Sequence, residues 1–161
     1  MSAEPVERFY DGEPDAPAPN VPLHPGVSAV IFDAERRILF MRRTRGGYWC
    51  LPGGRIDANE SASQCCIRET LEETGLETVI VRLVSVNSSP SMVVAYPDGN
   101  VHRSFVLCFE VRVVGGALKL SAESDAFRWC SLGEARDLRL IPDSRLNALD
   151  AWRGLETAAL R

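Results

Sequence analysis

Histidine is scarce in this chain: His24 and His102 are the only two among 161 residues. Two imidazoles could complete a structural zinc site only beside cysteines at ligand spacing, and the cysteines offer no such pair. Cys50, Cys65, Cys66, Cys108 and Cys130 contain no CxxC pair. An odd count with two adjacent members also argues against a disulfide framework, and favours reduced, mostly buried thiols in a cytoplasmic protein. No N-terminal apolar stretch resembles a signal peptide, and no hydrophobic run is long enough to span a bilayer. A positive balance is missing too. With 18 basic and 22 acidic side chains the formal charge is -4, so the surface offers no general attraction to polymeric nucleic acid or to an anionic membrane. A phosphorylated small molecule remains compatible with it if a divalent cation supplies the positive charge. There is no internal repeat.

What is present reads as one ordinary soluble domain, with 45% hydrophobic and 25% charged residues. Residues 1–25 hold six of the ten prolines, and residues 4–15 hold five acids against one base. This segment is expected to be a mobile or extended arm without a core of its own, free to pack on a neighbouring subunit, ahead of a domain over 26–161. Short apolar runs at 27–32 and 38–41 flank a polar turn and predict two strands. A Gly-rich loop follows over 46–54. Further strands are expected at 79–86, 92–96 and 101–114, with the turn Pro97-Asp98-Gly99-Asn100 between the last two, and a short one at 127–129. Asp143 or Ser144 can cap a terminal helix on which Leu146, Leu149, Trp152 and Leu155 recur at helical spacing. Strands in two halves with a middle and a terminal helix suggest an α/β sandwich with a mixed sheet.

The middle helix has well-marked ends: Ser61 and Gln64 make a capping box, and Gly75 is a natural left-handed cap. At helical spacing Glu69, Glu72 and Glu73 fall on one face about 100° wide, together with the small residues Ala62, Cys65 and Cys66, while Ile67 and Leu71 point the opposite way. The expectation is an open acidic strip backed by an apolar anchor. Like charges at these spacings each cost an isolated helix about 0.2–0.5 kcal/mol. A divalent cation would relieve that cost, and hard oxygen donors on one rigid element are what Mg²⁺ prefers. For the triplet alone, a solvated acidic face with Arg68 and nearby bases as counter-ions is the better account.

The wider spacing is more specific. From Gly54 the sequence reads Gly, five residues, Glu60, seven residues, then Arg68-Glu69-Thr70-Leu71-Glu72-Glu73-Thr74-Gly75-Leu76. This resembles the Nudix box, Gly-x5-Glu-x7-Arg-Glu-U-x-Glu-Glu-x-Gly-U with U a bulky aliphatic. Every fixed polar and glycine position matches. Thr70 stands where the family has an aliphatic residue, which should cost a little packing and no chemistry. The preceding Leu51-Pro52-Gly53-Gly54 and the late Trp129 are also similar to the family.

The resemblance implies a Nudix-type α/β/α sandwich and a Mg²⁺-dependent hydrolase of pyrophosphate bonds, with Mn²⁺ able to substitute. It implies metal ligation by Glu69 and Glu73, by Glu72 directly or through water, and by the carbonyl of Gly53. Glu60 and Arg68 would pair to fix the loop on the helix, with Gly54 and Gly75 shaping the motif. The general base would be Glu69 or a late-loop acid, here Glu123, with Asp125 a weaker candidate. Adjacent strand residues face opposite ways, so one of Arg42 and Arg43 reaches the phosphates; the resemblance favours Arg43, with Arg45 close by. Trp49 and Tyr48 could stack on a base, although an aromatic there is more often packing; Tyr96 and residues 88–91 are weaker lining candidates.

Pro90, fifteen positions beyond Gly75, resembles a feature of ADP-ribose pyrophosphatases. The substrate is therefore read as a small nucleotide, a nucleoside diphosphate linked to another moiety such as ADP-ribose. Nucleoside triphosphate clean-up is the alternative within the family, and a non-catalytic nucleotide-sensing module the alternative outside enzymes. Retention of the three helix acids weighs against the latter. The oligomeric state is open from sequence, a homodimer being the commonest soluble oligomer.

Overall fold

The computed structural model describes residues 6–161. Along the chain come β1 (Arg8–Asp11), β2 (Gly26–Ile31), β3 (Ile38–Arg43), β4 (Trp49–Cys50), α1 (Ala62–Thr74), β5 (Leu76–Asn87), β6 (Met92–Ala95) and β7 (Val101–Arg103). They are followed by β8 (Val106–Gly116), β9 (Ser124–Cys130), α2 (Leu132–Ala135), α3 (Pro142–Arg153) and β10 (Ala159–Leu160). The central sheet has the order β10-β5-β8-β2; β8 is antiparallel to β5 and parallel to β2, so the sheet is mixed. Two three-stranded sheets, β4-β3-β9 and β1-β6-β7, flank it.

The apolar run in β2 is buried at every position from 27 to 31 because both faces of its strand are covered. Val27, Ala29 and Ile31 pack with Cys65 and Cys66 of α1. Val30, one residue out of phase, packs with Ala148 and Ala151 of α3. The sheet therefore lies between two helices, in the α/β/α order expected. All five cysteines are free and buried.

The capping box of α1 forms as read: Ser61 accepts from the Gln64 N–H, the Gln64 side chain accepts from Ser61, and Gly75 takes φ 73°. Its burial runs opposite to the expectation. Cys65, Cys66, Thr70, Glu73 and Thr74 are the buried residues, and Leu71 is 46% exposed. The face bearing Cys65, Cys66, Thr70 and Glu73 packs on the sheet because most of its residues are small enough to approach β2 closely. Thr70 is fully buried, with its hydroxyl donating to the Cys66 carbonyl at 2.7 Å.

The terminal helix differs in the same way. Its N-cap is Ile141 with Pro142 in the first turn, and no side chain caps it. Asp143 instead accepts from Ser104 and Asn87, and the Ser144 hydroxyl accepts from the Leu51 N–H at 3.0 Å. The buried face is Ser144, Asn147, Ala148, Asp150 and Ala151. Leu155 lies past the helix and is 40% exposed. Asn147 is the hub. Its Oδ1 accepts from Ser85 and Asn87, both at 2.7 Å, and its Nδ2 donates to Ser28 at 3.0 Å, tying α3 to β5 and β2.

The strand expected over 101–114 is two strands. Ser104 and Phe105 turn the chain from the β6 ladder into the central sheet, with the Ser104 N–H bonded to the Met92 carbonyl and the Phe105 carbonyl to Gly26. In the proline-rich arm, Arg8–Asp11 pairs antiparallel with β6 of its own chain. The short β4, β10 and α2 carry no sequence pattern strong enough to announce them.

Arg68 of α1 ties the helix to the loop before it. Its Nε and Nη2 donate to the two Glu60 carboxylate oxygens at 2.9 and 2.6 Å. With the Asp57 N–H also donating to Glu60, this holds the Glu60 carboxyl down at about 2.

Two stability measurements follow from this packing. Asn147→Ala strands three buried partners and should lower the unfolding free energy in urea by about 2–4 kcal/mol, whereas Leu155→Ala should stay within about 0.5 kcal/mol. A larger loss from Leu155→Ala would contradict the polar α3 interface. Because the folded pKa of Glu60 is depressed, its contribution is present above the usual value of 4.5 and fades as pH falls toward about 2. Glu60→Gln should thus be less stable than wild type at neutral pH, and the two midpoints should converge across that window. A constant gap would remove Glu60 as the source.

Candidate active site

The loop before α1 is built so that backbone and carboxylates can meet. The Pro52 and Gly54 carbonyls accept from Ala29 and Val27 of β2, both at 2.8 Å. Between them the Gly53 N–H donates to Glu73 Oε2 at 2.7 Å. The Gly53 carbonyl has no hydrogen bond among the described residues. A Cβ on Gly53 would lie 2.1 Å from the Val27 carbonyl oxygen, and one on Gly54 would lie 2.3 Å from Glu69 Oε1. Both glycines are thus required by contact, the first with the sheet and the second with an acid of the helix.

Glu73 is 6% exposed. Burial pushes its carboxyl up to about 8; the Gly53 N–H works against that shift, and Glu69 and Glu123 add to it. Burial likewise raises the Glu69 carboxyl, while its contact with Arg68 Nη1 at 2.9 Å opposes this. Glu72 is 57% exposed at its side chain and meets the same nitrogen at 3.2 Å. Glu69, Glu72 and Glu73 share a cleft of about 200 Å³ with Ser121, Ala122 and Glu123. Glu123 is 54 positions from Glu69, and the Thr44 N–H, bonded to the Glu123 carbonyl at 3.0 Å, pins its loop to the end of β3.

The four acids singled out in the sequence therefore line one cleft. Among the described residues no three metal-binding side chains are already gathered around a common point; Glu73 turns to Gly53, and Glu69 and Glu72 turn to Arg68. The donor set still fits a hard divalent cation. It offers three carboxylates, one of them desolvated and short of positive partners, and an unengaged carbonyl beside them.

The other candidates divide. Arg43 and Arg45 line a second, polar cleft of about 350 Å³ with Glu7, Thr44, Ala122 and Glu123. The two clefts have Ala122 and Glu123 in common. Arg42, on the other face of β3, pairs with Asp125 at 2.7 Å and stands 5.8 Å above the Trp49 ring. Asp125 is thereby engaged outside the carboxylate cleft. Trp49, read as a candidate stacking residue, is half-buried and packs against the core cluster that holds Ala148 and Ala151 of α3. Tyr48 packs on Phe9 and Arg139, and Tyr96 packs on His102 and Arg55. Residues 88–90 line a separate cleft with Asp11, Leu146 and Arg161. Glu7 was not singled out in the sequence. It sits among four other acids of the arm, and only the β1–β6 pairing brings it to Arg43.

Similarity to known proteins agrees with this geometry. The family model for the NUDIX domain matches residues 22–149. A MutT-like protein from Streptomyces ambofaciens is 31% identical over 148 residues, covering 91% of this chain and 88% of its own. An ADP-ribose pyrophosphatase from Methanocaldococcus jannaschii is 35% identical over 135 residues, covering 81% and 76%. Among solved structures, the MutT protein from Methanosarcina mazei superimposes with a TM-score of 0.67 at 24% identity, covering 84% of this chain and 97% of that one, a likeness of fold. With the box, the cleft of acids and a family match over most of the chain in agreement, this protein belongs to the NUDIX family of hydrolases.

Proposed function

We propose that this Nudix hydrolase uses Mg²⁺ to cleave the diphosphate of a nucleoside diphosphate linked to another moiety, ADP-ribose being the simplest such substrate. The observation that carries the reading is the junction of two clefts. One is lined by Glu69, Glu72, Glu73 and Glu123, the other by Arg43 and Arg45, and they meet at Glu123. A relative of this chain is named for ADP-ribose pyrophosphatase activity. No helix among the described residues is long and apolar enough to cross a membrane.

Glu69, Glu72, Glu73 and the Gly53 carbonyl would hold the cation, which when bound supplies a Lewis acid at the phosphate oxygens. Arg43 and Arg45 hold the diphosphate by charge-assisted hydrogen bonds and keep the scissile phosphorus beside Glu123. The Glu123 carboxylate accepts a proton from a water as that water's oxygen forms the new bond to phosphorus. The bridging P–O bond breaks, and its electron pair leaves on the departing phosphate. Arg68, which does not line the cleft, holds Glu69 and Glu72 in place and takes no part in the transfer.

Purified protein with Mg²⁺ should hydrolyse ADP-ribose or another linked diphosphate in a panel that also holds NADH, diadenosine polyphosphates, nucleotide sugars and nucleoside triphosphates. Glu73→Gln should lower kcat by about a thousandfold or more while the melting temperature holds, since it removes a direct ligand of the catalytic ion. Near wild-type turnover would remove Glu73 from the metal site. Glu123→Gln should lower kcat by about 10²–10⁴-fold with Mn²⁺ affinity, read by electron paramagnetic resonance, unchanged. An unaltered rate would pass the role of base to Glu69.

A further inference from the structure

Arg43 does not enter the polar cleft uncompensated. Its Nη2 donates to Glu7 Oε1 at 2.9 Å and lies 2.9 Å from Oε2. The side chains are 29% and 13% exposed, so the pair is largely removed from water. Glu7 directly precedes β1, which is fixed by its ladder to β6 and by the edge contact of Phe9 with Tyr48 at 5.0 Å. The lining of the cleft then counts two cations, Arg43 and Arg45, against two anions, Glu7 and Glu123. Its capacity for further negative charge is small.

The pair is also incomplete. A bidentate fork would engage Nε and Nη2 of the guanidinium side by side. Here Nη2 carries the contact alone, while Arg43 Nε and Glu7 Oε2 are buried without hydrogen-bond partners among the described residues. With both carboxylate oxygens on the one nitrogen and Arg43 Nε left over, the pair falls short of a side-by-side fork, and a phosphate oxygen that also reaches Nε can take the place of Glu7. The displaced carboxylate stays tethered next to the incoming phosphate by β1. Its repulsion grows with the charge that the phosphate carries.

We propose that Glu7 is a specificity-determining residue: an exchangeable counter-ion on Arg43 that penalises substrates ending in a free, multiply charged phosphate relative to those whose diphosphate is substituted at both ends. This deepens the proposed function and rests on it for the identity of the cleft. The arm is thus part of the substrate site, and its acidity limits the phosphate charge that Arg43 accepts.

Two readouts test it, one of them independent of hydrolysis. In Glu7→Gln the ratio of kcat/KM for ATP to that for ADP-ribose should rise about tenfold, chiefly through KM, and Glu7→Asp, which keeps the charge, should hold the wild-type ratio. By calorimetry in EDTA, Glu7→Gln should gain about tenfold more affinity for inorganic tripolyphosphate than for pyrophosphate. A melting temperature near wild type would show that the arm remains docked. Equal changes for both ligands, no change, or a Glu7→Asp variant that behaves like Glu7→Gln would overturn the proposal. A wild-type protein that hydrolyses nothing, with the calorimetric discrimination still shifted, would defeat the hydrolase reading and leave the role of Glu7 standing.

Discussion

Four acids cannot be packed on one side of a small helix and loop without something holding them against their mutual repulsion, and in this protein much of that work falls to Arg68. Its guanidinium touches Glu60, Glu69 and Glu72 together, and its Nη2 also donates to the Arg55 carbonyl at 3.4 Å. One planar cation with five donors can do this; a lysine ammonium would not span the same set. The consequence is geometric as much as electrostatic. Glu69 is held against Gly54, Glu60 is fixed to the loop, and Glu73, which Arg68 does not reach, is left to the Gly53 N–H.

That division explains why Glu73 is the electrostatically unusual member. It is the most buried of the helix acids, and the buried environment that holds it raises its carboxyl to about 8. The Gly53 N–H and the charge of Arg43 only partly offset that burial, and a buried acid of this kind fits a divalent cation. Arg68 thus pairs with Glu60, Glu69 and Glu72 and leaves Glu73 without an ion pair among the described residues. In the adjoining polar cleft the pattern is reversed, with Arg43 given a partial partner in Glu7 and Arg45 given no ion pair among the described residues.

Behind the site, the two-faced burial of β2 fixes the loop and α1 relative to α3. The same strand offers its N–H groups to Pro52 and Gly54 on one edge and pairs with β8 on the other. Its alternate residues separate a largely apolar interface with α1 from an interface with α3 that is apolar at Val30 and polar at Ser28. Small residues on α1 permit the close approach, and the Asn147 network on α3 makes the other interface specific, because each of its buried polar groups has one set of partners.

Elements with strong local signals were legible from the sequence. The caps of α1, the glycine that ends it, the long strands β2 and β5 and the spacing of the helix acids are written in short-range pattern, since helix ends and box spacing depend on neighbours in the chain. Local pattern could not say which face of a helix would be buried. Helical spacing made Leu71 an anchor and put Leu155 on an apolar stripe, yet both are exposed, because burial is decided by what the sheet presents and by how closely a small or polar face can approach it. Nor could it join residues distant in sequence. Glu123 reaches the helix acids only through the β3–β9 pairing, and Glu7 meets Arg43 only because the arm adds a strand to β6. The sequence alone determined the motif and the chemistry it can hold. Tertiary structure decided which charges that chemistry would meet, because the closeness of two groups in space is set by strand pairing and not by their separation along the chain.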